Sequence, residues 1–592
     1  MALDGEKMGI GKIIKNVLRL MNEYKFTFTF AGICAIITVI CTVITPIFLG
    51  DAIDILTEGA INIANHTGTL DFNRLCYILL IIGTLYFIGN VFSYIKTYYL
   101  AKTTSKIVYS LRQKMVNKVM QMPMKSVDEN QRGDVLARLT NDIDILESGL
   151  TSSFFEITTA IITVIGTIIM MLITNVWLTL AVVCISLVSI VLIAAVIKFS
   201  QKYFDKQLFI QGSTAGQIEE IFSSQELIRT LNYEDRAVDD FNDNIDEWYA
   251  HEWKSQFFSN LNTPLMSLDS NLGYVAIAVL GSIFVLQGTM SIGRILSFFE
   301  FLNNFSEPIE SITSIIPQLQ AGTASAERIF EFLDMEEEEN PSEKKLERFD
   351  DEIIFDNISF GYSEDKKIID NFSLTVKKGE KVAIIGETGA GKTTIIKLLT
   401  RLYDVDSGEI KIDGANINEY DKHSLRSYMG MVLQETWVFS DTIKENIRYG
   451  NLDATDDEII AAAKKANADT FIRQLPECYD TLLSEDGDNI SQGQKQLLTI
   501  ARAILSNKEI LILDEATSNV DTRTESLIQE ALDKLMENKT SFVVAHRLST
   551  VRNADKIIVL GKGRVIEQGN HEELLAKKGY YYNTLKTQEN SY

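Results

Sequence analysis

The chain has 592 residues, of which 46% are hydrophobic and 23% charged, at a mean hydropathy of +0.05. That balance is too apolar for disorder and too charged for a protein confined to a membrane, so two kinds of region are averaged together. A net charge of −24, from 56 Lys+Arg against 80 Asp+Glu, excludes a global attraction to nucleic acid, and five Cys without metal-ligand spacing exclude a secreted disulfide framework.

With only 7 Pro, well under the average of about 5%, long helices run with few breaks. Residues 10–20 read as an amphipathic helix lying on a membrane surface, and the N-terminus lacks the apolar run and small-residue cleavage site of a signal peptide. Six apolar stretches of bilayer-spanning length, about 20 residues each, then follow. They lie near 26–50, 75–100, 150–173, 176–197, 262–287 and 292–317. The last two carry Asp269, Glu300 and Glu307, and a pair of soluble core helices is their other reading.

Basic residues concentrate in alternate connections. Lys7, Lys12, Lys15 and Arg19 precede the first stretch, eight Lys and Arg between Lys102 and Arg138 follow the second, and Lys198, Lys202, Lys206, Arg229, Arg236 and Lys254 follow the fourth. The other connections hold only Arg74, so both termini are expected in the cytoplasm of a multi-pass protein of the cell membrane. The two long cytoplasmic connections are helical in pattern. The membrane helices therefore continue past the bilayer and turn back near 125–134 and 217–227, where they can touch a cytoplasmic domain. This transmembrane domain is taken as 1–330, followed by a charged linker over 331–350.

From 351 to 592, short apolar strands alternate with amphipathic helices, as in an α/β domain. After a strand at 381–385 comes Gly386-Glu387-Thr388-Gly389-Ala390-Gly391-Lys392-Thr393, opening through Thr394 into a helix, which is a phosphate-binding loop in its strand-loop-helix context. The glycines let backbone N–H groups close round phosphates at a helix N-terminus, Lys392 reaches the β- and γ-phosphates, and the Thr393 hydroxyl binds Mg²⁺. A second strand, 510–513, ends in Asp514-Glu515, an acid for Mg²⁺ and an adjacent general base for the attacking water.

Between and beyond these elements stand Gln434, Ile490-Ser491-Gln492-Gly493-Gln494, Ser518-Asn519-Val520-Asp521 and His546. Together they resemble the nucleotide-binding domain of ATP-binding cassette (ABC) transporters, and the whole chain resembles an exporter half-transporter: an α-helical six-span bundle followed by one such α/β domain. The resemblance implies that Tyr362 stacks on adenine and that Gln434 links Mg²⁺ and water to the membrane domain. It further implies that Ser491, Gly493 and Gln494 contact ATP held by the opposite subunit, that Asp521 joins the two sites, and that His546 contacts the γ-phosphate. Glu485 resembles the segment that feels the membrane domain's turns. ATP sandwiched between two such domains needs a second half-transporter, and its binding and hydrolysis drive alternating access.

The family's usual signature is Leu-Ser-Gly-Gly-Gln, from which Ile490 and Gln492 depart. A bulky side chain where backbone approaches phosphate is a physical reason for a weak site on the partner's phosphate loop, while this chain's own loop keeps Lys392, Asp514, Glu515 and His546. This favours a heterodimer over a homodimer. On the sixth stretch Glu300, Asn304 and Glu307 share a helical face within hydrocarbon depth, which suggests amphipathic or cationic cargo, or else packing between helices. Asp269 and Glu156 are expected to add negative potential to an inward-open cavity. Lipid or peptide export by the same fold, and an ATP-gated channel, are the alternatives.

Overall fold

The computed structural model describes residues 22–129, 132–340, 342–363, 366–434, 436–484, 487–514, 521–544 and 551–589. The chain divides into two compact units, Met1–Gln121 with Asn130–Met335, and Met122–Glu129 with Glu336–Tyr592.

The first unit is helical. Its long elements are α1 (Lys25–Ala64), α2 (Phe72–Gln121), α4 (Ser153–Thr174), α5 (Val176–Ser223), α7 (Glu234–Asn260), α8 (Asn262–Leu286) and α9 (Ile292–Leu333), with the short α6 (Gln225–Thr230) between α5 and α7, while the short α3 (Met124–Glu129) belongs to the second unit. Polar caps start two of these helices: the Asn175 side chain accepts from Leu178 N–H at 3.1 Å to open α5, and Ser291 from Arg294 N–H at 3.3 Å to open α9. Five of them, α1, α2, α4, α5 and α8, are long and apolar enough to cross a membrane by length and composition. The 42 residues of α9 include Arg294, Glu300, Glu307 and Glu310, and α9 does not reach the same apolarity.

Small residues bring α1 and α9 together. A Cβ added at Gly293 would lie 2.0 Å from the Gly50 carbonyl oxygen, so the backbones approach as only glycine permits. Ser297 Oγ donates to the Pro46 carbonyl at 2.7 Å, and Asp54 accepts from Gly293 N–H at 2.7 Å and Ser291 Oγ at 2.5 Å. The second long reversal falls later than 217–227. Residues 217–223 complete α5, because nothing in their pattern stops the helix, and the chain turns at Leu231–Tyr233, where Asn232 takes a left-handed φ of 51°.

The second unit is α/β. A six-stranded sheet has the order β10-β9-β3-β8-β7-β6, with β3 (Lys381–Gly386), β6 (Met429–Val432), β7 (Ile510–Asp514), β8 (Thr540–Val544) and β9 (Lys556–Gly561) parallel and β10 (Arg564–Gly569) antiparallel at the edge. An antiparallel sheet, β2-β1-β4-β5, is built from β1 (Glu352–Phe360), β2 (Ile369–Lys377), β4 (Ser407–Ile412) and β5 (Ala415–Asn416). Phe355, Phe372 and Phe542 meet edge to face in the core that joins the two sheets. Because β3, β6, β7 and β8 are parallel, their C-terminal ends all open on one edge, where residues far apart in sequence converge.

This unit begins earlier than 351. Leu346 and Phe349 are buried in its core, and Glu338, in the acidic run, is paired with Arg426 and with Lys422 Nζ at 3.3 Å, so much of the expected linker is docked. Burial would push the Glu338 carboxyl up, but Arg426 and Lys422 hold it below the usual carboxylate range.

Candidate functional site

The loop between β3 and α10 (Lys392–Leu399) bends through left-handed glycines, Gly389 at φ 84° and Gly391 at φ 101°; at Gly391 a Cβ would lie 2.5 Å from Ile369 Cδ1. Ala390 is buried beneath the loop, whereas Glu387, Thr388 and Thr393 are exposed. Lys392 is only 7% exposed and turns its ammonium back on the loop, donating to the Gly386 carbonyl at 2.8 Å and the Glu387 carbonyl at 3.1 Å. Burial pushes the Lys392 ammonium below the usual lysine range, and the charge of Asp514 offsets part of that shift. One contact had no sequence signal at all: the Tyr580 hydroxyl, 193 residues away, donates to Glu387 Oε1 at 3.2 Å.

Tyr362 follows β1 and lies beside the loop helix. Its hydroxyl is 3.3 Å from Thr394 Oγ1, its ring meets Phe360 and Tyr403 edge to face with centroids 5.1 and 5.2 Å away, and 41% of the residue remains exposed. Gln434 is exposed two residues past the end of β6, and Asp514 is the last residue of β7. Thr393, Gln434 and Asp514 offer a hydroxyl, an amide oxygen and a carboxylate, a hard oxygen set of the kind Mg²⁺ takes. Glu515 and His546 lie outside the described residues, as do Glu485, Ser518, Asn519 and Val520. Asp521 caps α12 (Thr522–Leu535), accepting from Thr524 N–H at 3.0 Å, which holds its carboxyl below the usual range.

Ser491 opens α11 (Gln492–Ser506) through a reciprocal cap: Ser491 Oγ accepts from Gln494 N–H at 3.3 Å and Gln494 Oε1 accepts from Ser491 N–H at 2.9 Å. Gly493 is buried in the first turn. Gln492 Nε2 donates to Thr436 Oγ1 at 3.0 Å, which ties the side chain to the segment after Gln434.

The other surprise of the second unit is α3. Asp128 Oδ2 accepts from Lys397 Nζ, in the last turn of the loop helix, at 3.1 Å and from the Tyr403 hydroxyl just beyond it at 2.7 Å, two residues without a sequence signal. In the first unit, Glu300 is half-buried and Glu307 exposed, while Asn304 Nδ2 donates to the Thr42 carbonyl at 3.4 Å, a contact between helices. Asp269 is 4% exposed and accepts from Ser186 Oγ of α5 at 3.2 Å, so it does not line an open cavity as expected.

Comparison with known proteins matches residues 28–309 to the family described as ABC transporter transmembrane region and residues 369–518 to the family described as ABC transporter. A fatty acid ABC transporter ATP-binding/permease protein of Mycobacterium bovis is 42% identical over 81% of this chain and 76% of its own length. An ATP-dependent lipid A-core flippase of Syntrophus aciditrophicus is 33% identical over 96% of this chain and 93% of its own. A Bacillus subtilis ATP-binding/permease protein, provisionally named for multidrug export, is 33% identical over 96% of this chain and 98% of its own.

Proposed function

The chain belongs to the ABC transporters, as a transmembrane region fused to one ATP-hydrolysing nucleotide-binding domain, and on that footing we propose that it exports amphipathic small molecules across the cytoplasmic membrane by alternating access, as one half of a dimer. The observation that carries this reading is the glycine-lined loop with buried Lys392 at its base, facing Asp514 at the open edge of the parallel sheet. Lys392 exchanges two loop carbonyls for the β- and γ-phosphate oxygens of ATP, a stronger charge-assisted contact. The N–H groups of residues 387–391 and the start of α10 hold the same phosphates, and Thr394 with Tyr362 frames the adenine side. Thr393, Gln434 and Asp514 hold Mg²⁺, which when bound neutralises charge developing on the phosphates. Glu515 takes the proton of the attacking water and His546 contacts the γ-phosphate.

Ser491, Gly493 and Gln494 serve the ATP of the opposite subunit. The heterodimer favoured by the signature change is the first reading, and the hydrogen bond that holds Gln492 to Thr436 supports a homodimer as the second. Cargo meets Glu300, Asn304 and Glu307 on α9, whose acidity favours amphipaths bearing a cation; the fatty acid and lipid A names of two relatives support amphipathic cargo of lipid type as the second reading.

The test is the purified chain in lipid nanodiscs, assayed for mass, Mg-dependent ATPase and cargo movement, with Glu515→Gln as the blank. A dimer whose ATPase and uphill transport are both lost in Glu515→Gln supports the proposal. Conductance without stoichiometric transport sinks it in favour of a gated channel. Glu300→Gln with Glu307→Gln lowers transport of cationic dyes more than of neutral ones; an equal effect on both removes the electrostatic part.

A further inference from the structure

We propose that Tyr580, at the start of α13 (Tyr580–Glu589), is a positioning residue for nucleotide binding: its hydroxyl holds the Glu387 carboxylate, and with it the phosphate loop, in the conformation that receives the phosphates. The inference rests on the reading of that loop as the ATP site and adds to it a residue distant in sequence.

The first turn of α13 is fixed by its neighbours. Glu567 of β10 accepts from Tyr580 N–H at 2.5 Å through Oε1 and from Tyr581 N–H at 3.1 Å through Oε2. One carboxylate thus satisfies two of the amides that a helix start leaves unpaired, at the end where the helix dipole favours negative charge. A Cβ added at Gly579 would lie 1.8 Å from Glu567 Oε1, so the approach requires glycine. Tyr581, 2% exposed, and Leu585 are buried in the same core as Val559 of β9, and the Tyr581 hydroxyl lies 2.6 Å from His571 Nδ1. With Tyr581 anchored in the core, the neighbouring Tyr580 reaches the loop, where its hydroxyl donates to Glu387 Oε1 at 3.2 Å.

Glu387 is the only acidic residue from Gly386 to Thr394, and its charge has the sign of the phosphates that the loop gathers. Its main chain is engaged as well, since its carbonyl accepts from Lys392 Nζ at 3.1 Å. When Lys392 transfers to phosphate oxygens, its bonds to the Gly386 and Glu387 carbonyls are given up, whereas the bond from Tyr580 is made to the side chain and persists. Tyr580 therefore keeps residue 387 in place after Lys392 has left it, and fixes the direction of a carboxylate that would otherwise rotate beside the phosphates. Burial and the Glu387 charge push the Tyr580 hydroxyl above the usual tyrosine range, so it remains the donor at neutral pH.

The experiment is a double-mutant cycle on the full-length chain in lipid nanodiscs: wild type, Tyr580→Phe, Glu387→Ala and the double variant. MgADP affinity is measured by calorimetry, and KM and kcat by Mg-ATPase. Tyr580→Phe, which keeps the ring and both backbone bonds to Glu567, is expected to weaken MgADP binding and raise the KM for ATP by about threefold or more, with kcat within about twofold. In the Glu387→Ala background the same substitution should have no effect on affinity. Equal MgADP affinity in wild type and Tyr580→Phe overturns the proposal. An equal loss in both backgrounds also overturns it, and assigns Tyr580 to the seating of α13 alone. A wild-type chain that binds no nucleotide removes the ATP-site reading, and this inference with it.

Discussion

Gln492 and Thr436, 56 residues apart, are joined by a 3.0 Å hydrogen bond from Nε2 to Oγ1, which ties the N-terminus of α11 to the segment after Gln434. The bond is exposed, so its loss costs on the order of 1 kcal/mol. Gln492→Gly and Thr436→Val are each expected to change the Mg-ATPase of the purified chain by less than about threefold, and the double variant by no more than either alone, as a shared bond requires. A rise of tenfold or more in Gln492→Gly would mean that the side chain obstructs the composite site after all.

Lys392 is held below the usual lysine range mainly by burial, so its charge opposes folding at neutral pH. The sign follows: for a cation whose folded pKa is depressed, stability is lost as pH falls through the ordinary lysine range into neutrality. Lys392→Met should therefore abolish ATPase while leaving the nucleotide-free thermal transition of this domain unchanged or raised. A transition lowered by several degrees would show that the bonds to the Gly386 and Glu387 carbonyls outweigh desolvation.

Asp128 reaches Lys397, in the last turn of the phosphate-loop helix, and Tyr403, just beyond it, from the short helix α3. Asp128→Ala is expected to leave the KM for ATP within about twofold and to remove most of the cargo stimulation of ATPase, because an exposed pair contributes little to stability but fixes a geometry. Equal loss of basal and stimulated rates would assign Asp128 to the fold of the loop helix instead.

Glu338 is a carboxyl held below its usual range by Arg426 and Lys422, against the opposing effect of burial. Its contribution is present above the unfolded carboxylate value of about 4.3 and is lost as pH falls through the lower folded value. Glu338→Gln should lower the nucleotide-domain transition at pH 7 and converge with wild type in stronger acid. A difference that persists unchanged at low pH would mean that packing, not charge, holds this segment.

Local pattern was sufficient for much of this protein. Continuous apolar length specifies membrane helices because no backbone group can be left unpaired in lipid, and the phosphate loop is legible because its glycines, Lys392 and Thr393 are adjacent in sequence and act through backbone geometry. The same logic placed Asp514 at the end of a buried strand and Ser491 at a helix start. What tertiary structure alone decided is where long side chains and docked segments go. That Gln492 bonds to Thr436 depends on a neighbour 56 residues away, and Glu338 read only as part of a charged linker until the fold brought Arg426 and Lys422 to it. Asp269 read as a cavity acid because helical periodicity gives its level and its face but not its neighbours; it is buried and bonded to Ser186 of α5, 83 residues away, which no local window contains.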